Sequence, residues 1–311
     1  MSVIPASRTD LLELIAVSAI WGSSFLCIAI ALDDLAPLEI AAWRLTLAAV
    51  LLLAVVRWRG LVIPLDARSL WLFLAIGALN GAIPFTLIGW GQQSVASSTT
   101  AILIATSPFA TLALSHLMSD DERFGWGRLV GLLLGFGGIL VLFSDGLGVG
   151  QAGNEAGGEA GGEGSSLPGM LAIVAAACCY ALSAILIRRL PGVPSLSVVA
   201  GTLCAATLLL LPFLLVRHPP WQATPDAPAA LAVLFLAVGP TAVAYVMRTR
   251  IVQRNGAVFM SSAGYLIPLF AVLWGWLFLD ERPSARVWIA LSLVVAGIVV
   301  GQWRSYTGRL P

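Results

Sequence analysis

Asp121-Glu122-Arg123 heads an apolar stretch that reaches Gly138-Ile139, and Asp280-Glu281-Arg282 heads another that reaches Gly297-Ile298. Glu122 to Gly138 and Glu281 to Gly297 are both 16 residues. Upstream, Leu72-Phe73-Leu74-Ala75-Ile76-Gly77 matches Leu234-Phe235-Leu236-Ala237-Val238-Gly239. Ser107-Pro108-Phe109 is echoed by Ile267-Pro268-Leu269-Phe270. The chain is a duplicated unit, and its architecture follows from how many times that unit crosses a membrane.

That it crosses one follows from composition. Of 311 residues, 59% are hydrophobic and 11% charged, against about 25% charged in a soluble domain. All 17 basic residues are Arg. Without Lys there is no Gly-rich phosphate-binding loop of the Lys-Ser/Thr type, so a fused ATPase is excluded. Cys27, Cys178, Cys179 and Cys204 fall inside apolar runs and read as small buried hydrophobes. His116 and His218 are too far apart in sequence to form a histidine cluster. No metal or other cofactor is expected, and the net charge of +1 gives no reason to expect a nucleic acid. The first apolar run is too long for a cleaved signal peptide and lacks a small-residue cleavage site.

A span needs about 20 apolar residues. Ten are predicted. In the first half they run Leu11 to Leu32, Leu38 to Val56, Leu70 to Trp90, Val95 to Met118 and Arg128 to Ser144. In the second they run Pro168 to Ile187, Leu196 to Val216, Ala229 to Met247, Ala257 to Leu279 and Arg286 to Gln302. Charge, Pro and Gly clusters separate them. Residues 145–167 differ in kind. They are Gly-rich, with Glu155, Glu159 and Glu163 evenly spaced, and are expected to be a solvated tether between two five-span units, 1–144 and 168–311.

Arg placement orients the chain. Arg8, Arg57, Arg59, Arg68, Arg123, Arg128, Arg188, Arg189, Arg248, Arg250, Arg254, Arg304 and Arg309 lie on the side of the N-terminus. Arg217, Arg282 and Arg286 lie on the other, and Arg44 is within a span. Thirteen against three predicts that both termini are cytoplasmic. Five spans per unit is an odd number, so the second copy is inverted, an arrangement common in secondary transporters.

The residues now carry a resemblance. Trp21-Gly22-Ser23-Ser24-Phe25 stands in the first span and Ala42-Trp43-Arg44 in the second. The Leu-Phe-Leu-Ala-Ile-Gly run follows in the third and Ser-Pro-Phe in the fourth, and each half closes on Asp-Glu-Arg and a Gly-Ile helix. In this order they resemble the EamA family of the drug/metabolite transporter superfamily, over almost the whole chain. The resemblance implies an all-α integral membrane carrier of the bacterial inner membrane, with ten helices in two inverted repeats. It also implies export of amino acids, aromatic or bulky ones among them, or of related metabolites. A monomer is expected, with a small-molecule substrate and the lipid bilayer as its partners.

Substrate is expected near the bilayer midplane between the repeats. Polar and aromatic residues near mid-span are the candidates: Trp21 and Ser24, Asn80 and Pro84, Tyr180 and Ser183, Thr241 and Tyr245, Ser262 and Tyr265. Tyr180 and Ser183 are the repeat equivalents of Trp21 and Ser24, because Trp21 to Gly138 and Tyr180 to Gly297 are both 117 residues. An amide, hydroxyls and ring faces suit a zwitterion or an amphipathic metabolite. The same hydroxyls also serve as packing glue between membrane helices. Pro108 and Pro268 interrupt the same span of each repeat and are candidate gating hinges, or fixed bends.

Arg44 lies about 9 Å inside its span by helical rise. It meets a substrate carboxylate, or it pairs with Asp33, Asp34 or Glu39 at the external end, or it snorkels there. Arg248 and Arg250 either reach the cavity or anchor the cytoplasmic face. The rival functions are a proton-coupled multidrug antiporter and a nucleotide-sugar or sugar-phosphate exchanger. The first lacks a mid-span Asp or Glu to carry protons, and the second has only Arg44 or Arg248 for phosphate. A membrane-embedded enzyme lacks a nucleophile-base pair or metal cluster. Uniport by alternating access is the simpler mechanism.

Overall fold

Asn80-Gly81 and Pro84 explain why the third span is not one plain α-helix. Glycine and proline weaken the backbone at mid-span. There the ladder slips to i→i+5 bonding, with the Ile83 N–H bonded to the Ala78 carbonyl. The computed structural model describes residues 8–107, 110, 130–131, 133–138, 140–141, 166–187, 189–190, 192–217, 225–248, 250–251 and 263–307. Among these there is no strand.

The α-helices are α1 (Arg8–Ala31), α2 (Pro37–Trp58), α3 (Ala67–Gly77), α4 (Ile83–Gln92), α5 (Ser97–Ile104), α6 (Leu167–Ile187), α7 (Ser195–Arg217), α8 (Ala227–Leu236), α9 (Ala263–Phe278) and α10 (Ala285–Thr307). A π-helical segment, Ala78–Ala82, joins α3 to α4 in one span, and a second, Ala237–Val243, continues α8. Helical residues 133–138 belong to the fifth span. Five described helices are long and apolar enough to cross a membrane: Arg8–Ala31, Pro37–Trp58, Ala67–Gln92, Ser195–Val216 and Ala227–Arg248. Leu167–Ser183, Leu266–Phe278 and Ala285–Gly297 are shorter apolar helices. The chain is an all-α integral membrane protein of ten spans in two inverted repeats.

The packing follows that symmetry. α2 packs on α7, the pair being equivalent to itself under exchange of repeats. The third span packs on α6, through α4, as the eighth packs on α1, through α8, and α2 meets the second π segment as α7 meets the first. Leu45, Leu52, Leu203 and Leu214 fill the α2–α7 seam. Val50, Leu208 and Phe213 are exposed on the same helices, as apolar side chains facing lipid are. Two crossings need glycine. A Cβ on Gly22 would stand 2.7 Å from the Phe270 Cβ on α9, and one on Gly77 would stand 2.6 Å from the Thr202 carbonyl on α7.

The ends fix the direction of each unit. Asp66 caps α3 by accepting the Ser69 N–H at 3.0 Å, and Asp226 caps α8 by accepting the Ala229 N–H at 2.8 Å. These equivalent caps lie at opposite ends. Asp226 N–H also donates to Asp34, in the α1–α2 turn, at 2.7 Å. At the same end Ser94 and Ser166 share a hydrogen bond of 2.6 Å, and Glu281 accepts the N–H groups of Ser97 at 2.8 Å and Ser98 at 3.2 Å. Arg68 and Arg189 border one cleft of about 230 Å³ at the other end, with Trp71 and Leu72.

Candidate functional site

A proline stands at each break, Pro84 just after the first π segment and Pro240 within the second, and each removes one i→i−4 donor. Pro84 has no N–H for the carbonyl of Asn80, four residues before it, and Pro240 has none for Leu236. A side chain serves each. The Tyr245 hydroxyl lies 3.5 Å from the Asn80 carbonyl, and the Thr241 hydroxyl donates to the Leu236 carbonyl at 2.7 Å. The two broken spans therefore present polar groups toward the boundary between repeats.

A network grows from these points. Asn80 Nδ2 donates to the Tyr245 phenol at 3.1 Å. The Ser183 hydroxyl lies 2.8 Å from the Tyr180 carbonyl and 3.3 Å from Asn80 Oδ1. Trp21 Nε1 donates to the Pro240 carbonyl at 3.1 Å, and its ring meets Tyr245 edge to face, 6.4 Å between centroids at 81°. Trp21, Asn80, Tyr180 and Tyr245 are half-buried, while Ser24, Pro84, Ser183 and Thr241 are buried. Five of the ten expected substrate residues thus meet, Trp21, Asn80, Tyr180, Ser183 and Tyr245, with Pro84 and Thr241 in the broken spans beside them. Ser24 is buried on α1. Ser262 and Pro108 lie outside the described residues. Tyr265 falls in the first turn of α9, and its side chain also lies outside the described part. Pro268 is buried within α9, which runs through it without a π segment.

Arg44 departs from the expected external pairing. It is 4% exposed. Its Nε and Nη2 donate to Thr241 Oγ1 at 3.1 and 3.0 Å, across the repeat boundary. Its guanidinium lies 3.8 Å from the centroid of the Phe85 ring. Among the described residues, the titratable side chains that act on it are Tyr180, Tyr245 and Cys27. Asp34 serves the N–H of Asp226, and Glu39 serves that of Ala36 at 2.7 Å, as part of the cap of α2. A cation–π contact is worth about 0.5–2 kcal/mol. Burying a charge costs several kcal/mol after relaxation. The ring and one neutral hydroxyl therefore offset the cost of Arg44 only in part. Arg248 is half-buried near Tyr245, close enough to act on its phenol, whereas Arg250 is exposed. Among the described residues no group of His, Cys, Asp and Glu is arranged to hold a metal ion.

Phe85 and Pro240 were not among the sequence candidates. Pro240 carried a signal: like Pro84, it is a mid-span proline beside a polar residue. Phe85 carried none, since an apolar residue in an apolar run has no mark until Arg44 is found over it.

Broken helices with polar groups at the boundary between repeats are a common build of membrane transporters. The chain belongs to the EamA-like transporter family, whose profile matches it twice, over residues 10–144 and 167–301. It is similar to the uncharacterized inner membrane transporter YedA of Escherichia coli K12, at 28% identity over 92% of this chain and 88% of that one. It is also similar to a probable terminal-alkyne amino-acid exporter of Streptantibioticus cattleyicolor, at 26% identity over 90% of this chain and 89% of that one. An S-adenosylmethionine/S-adenosylhomocysteine transporter of Chlamydia muridarum matches at 26% identity over 89% of this chain and 86% of that one. A solved crystal structure shares the fold at a TM-score of 0.66 and 20% identity, covering 98% of this chain and all of that one. The protein is a membrane transporter; these names point to a carrier rather than to an enzyme.

Proposed function

We propose that the protein exports amino acids or closely related small metabolites across the bacterial inner membrane by alternating access. One observation carries this reading. Asn80, Ser183 and Tyr245, from both repeats, share hydrogen bonds beside the two π segments. Polar groups held where helices are broken can bind a solute and change their arrangement together. The half-buried Trp21, Tyr180 and Tyr245 offer ring faces to a bulky side chain. The amino-acid exporter among the relatives supports the same substrate class.

The two repeats, 1–144 and 168–311, rock about the α2–α7 seam, with 145–167 as an external tether and both termini in the cytoplasm. The Arg asymmetry supports this orientation. Asp10 and Glu13 lie in the first two turns of α1, far from Asn80 at mid-span, which favours uniport over obligatory proton antiport. Counterflow in proteoliposomes tests both points. With equal pH on the two sides, labelled amino acids should enter vesicles preloaded with the same amino acid, and saturate. Absence of saturable uptake for every amino acid rejects the substrate class. Uptake only under an imposed pH gradient rejects uniport.

A further inference from the structure

We propose that Arg44 is the seat of a substrate carboxylate, and that the transporter recognises its substrate by that carboxylate with no acidic side chain reserved for an amine. This rests on the transport reading and narrows its substrate class.

Arg44 is a permanent cation with five N–H donors. Among the described residues its hydrogen bonds run to Thr241 Oγ1. That hydroxyl spends its own proton on the Leu236 carbonyl, so it is a neutral acceptor and nothing more. Phe85 covers one face of the guanidinium. The titratable neighbours Tyr180, Tyr245 and Cys27 are neutral in their ordinary state at pH 7. Of the carboxylates expected as partners, Asp34 and Glu39 bond backbone N–H groups elsewhere and Asp33 is exposed in the α1–α2 turn. A buried cation at the repeat boundary is thus held by neutral groups. The planar fork of an arginine matches a carboxylate with two parallel hydrogen bonds.

The surroundings select the rest of the ligand. Asn80, Ser183 and Tyr245 are neutral, and Arg248, which acts on the same Tyr245 phenol as Arg44, is also positive. Such a site attracts a monoanion. An amine, where the substrate has one, meets carbonyl oxygens and ring faces rather than a counter-ion. A phosphate dianion calls for more than one buried cation, and Arg248, the last residue of its span, is only half-buried.

The test compares ligands on the purified full chain by thermal shift, and as competitors of counterflow. L-Phenylalanine, L-leucine and 3-phenylpropionate keep the carboxylate. The last lacks the amine. L-Phenylalaninamide keeps the amine and lacks the carboxylate. Phenyl phosphate and inorganic phosphate are the second anion arm. The wild type should bind 3-phenylpropionate within about threefold of phenylalanine, and phenylalaninamide at least tenfold more weakly. Arg44→Gln should lose tenfold or more for the carboxylates, and Arg44→Lys should retain part of the binding. The ligand comparison needs no variant, so it stands even if Arg44→Gln misfolds. Equal binding of phenylalaninamide and phenylalanine by the wild type overturns the inference, as does failure of all three carboxylates to bind. Tighter binding of the phosphates reassigns the seat to phosphate and rejects it too. If no amino acid is transported but 3-phenylpropionate binds through Arg44, the amino-acid reading fails and the carboxylate seat stands. If amino acids are transported as well by Arg44→Gln as by the wild type, the reverse holds.

Discussion

The carboxylate of Glu281 accepts the backbone N–H of Ser97 at 2.8 Å, so the loop before α10 caps the first turn of α5 from the other repeat. Its second oxygen takes the N–H of Ser98 at 3.2 Å. The first N–H groups of a helix have no partner within it, and a carboxylate also complements the helix dipole. Asp280, just before it, adopts φ 51°, a left-handed conformation that Asp tolerates better than most residues. The duplicated Asp-Glu-Arg motif thus has a physical role in its second copy. Its first copy lies outside the described residues.

Glu281→Ala should therefore destabilise the protein by about 1–2 kcal/mol, the value of a helix cap. Glu281→Gln keeps an acceptor but loses the charge, and should cost about half as much. Thermal unfolding in detergent measures both. Unchanged unfolding temperatures in both variants reject the cap.

Gly22 offers a sharper structural test. A Cβ there meets the Phe270 Cβ at 2.7 Å and the Ile267 carbonyl at 3.0 Å, so Gly22→Ala must push α1 from α9. Overpacking of this kind costs about 1–3 kcal/mol. Gly264, on α9 with nothing within 4 Å of its added Cβ, is the control. Gly264→Ala should unfold at or above the wild-type temperature, since alanine favours a helix. Equal behaviour of the two variants shows that the α1–α9 crossing is looser than described.

Where the spans are described, their positions were legible in the sequence because each span writes its own signal: a run of apolar residues of membrane length, closed by charge or proline. Most of the span at Val95 to Met118, much of that at Arg128 to Ser144 and the start of that at Ala257 to Leu279 lie outside the described residues. The third span was read as Leu70 to Trp90 and the helix runs Ala67–Gln92, the difference being the Asp66 cap and its first turn. The partners of the site were less legible. Asn80 and Tyr245 are 165 residues apart, and their meeting depends on how two units pack. Arg44 shows the limit most clearly. By sequence its nearest acids were Asp33, Asp34 and Glu39, but the helix turns it inward, onto Thr241 and Phe85. Ser292, on α10, is exposed and donates to the Trp288 carbonyl of its own helix at 2.8 Å.

The orientation has a direct measurement. In a background with Cys27, Cys178, Cys179 and Cys204 replaced by Ala, single cysteines are placed at Asp33 and at Arg59, both exposed in turns at opposite ends. Asp33→Cys should react in intact cells with an impermeant thiol reagent. Arg59→Cys should react only after permeabilisation. The opposite pattern places the termini outside and reverses the direction of every span.

The broken third span makes the most specific prediction, because two residues share one carbonyl. Pro84 denies the Asn80 carbonyl a backbone N–H, and the Tyr245 hydroxyl stands 3.5 Å from it in that N–H group's place. Tyr245→Phe leaves that carbonyl unserved and also takes the acceptor from Asn80 Nδ2. Each unmet buried group costs about 1–3 kcal/mol, so substrate affinity or stability should fall by roughly that amount. Pro84→Ala restores an N–H at the right position and lets the π segment relax toward α-helix. On its own it should reduce transport, by removing the break. Combined with Tyr245→Phe it should recover about 1 kcal/mol of the lost stability, a coupling that a double-mutant cycle of unfolding reads directly. Ser292→Ala is the control for expression and should behave as wild type. Strict additivity of Pro84→Ala and Tyr245→Phe rejects the shared-carbonyl account. It would leave Tyr245 acting only through Asn80 Nδ2 and its ring contact with Trp21.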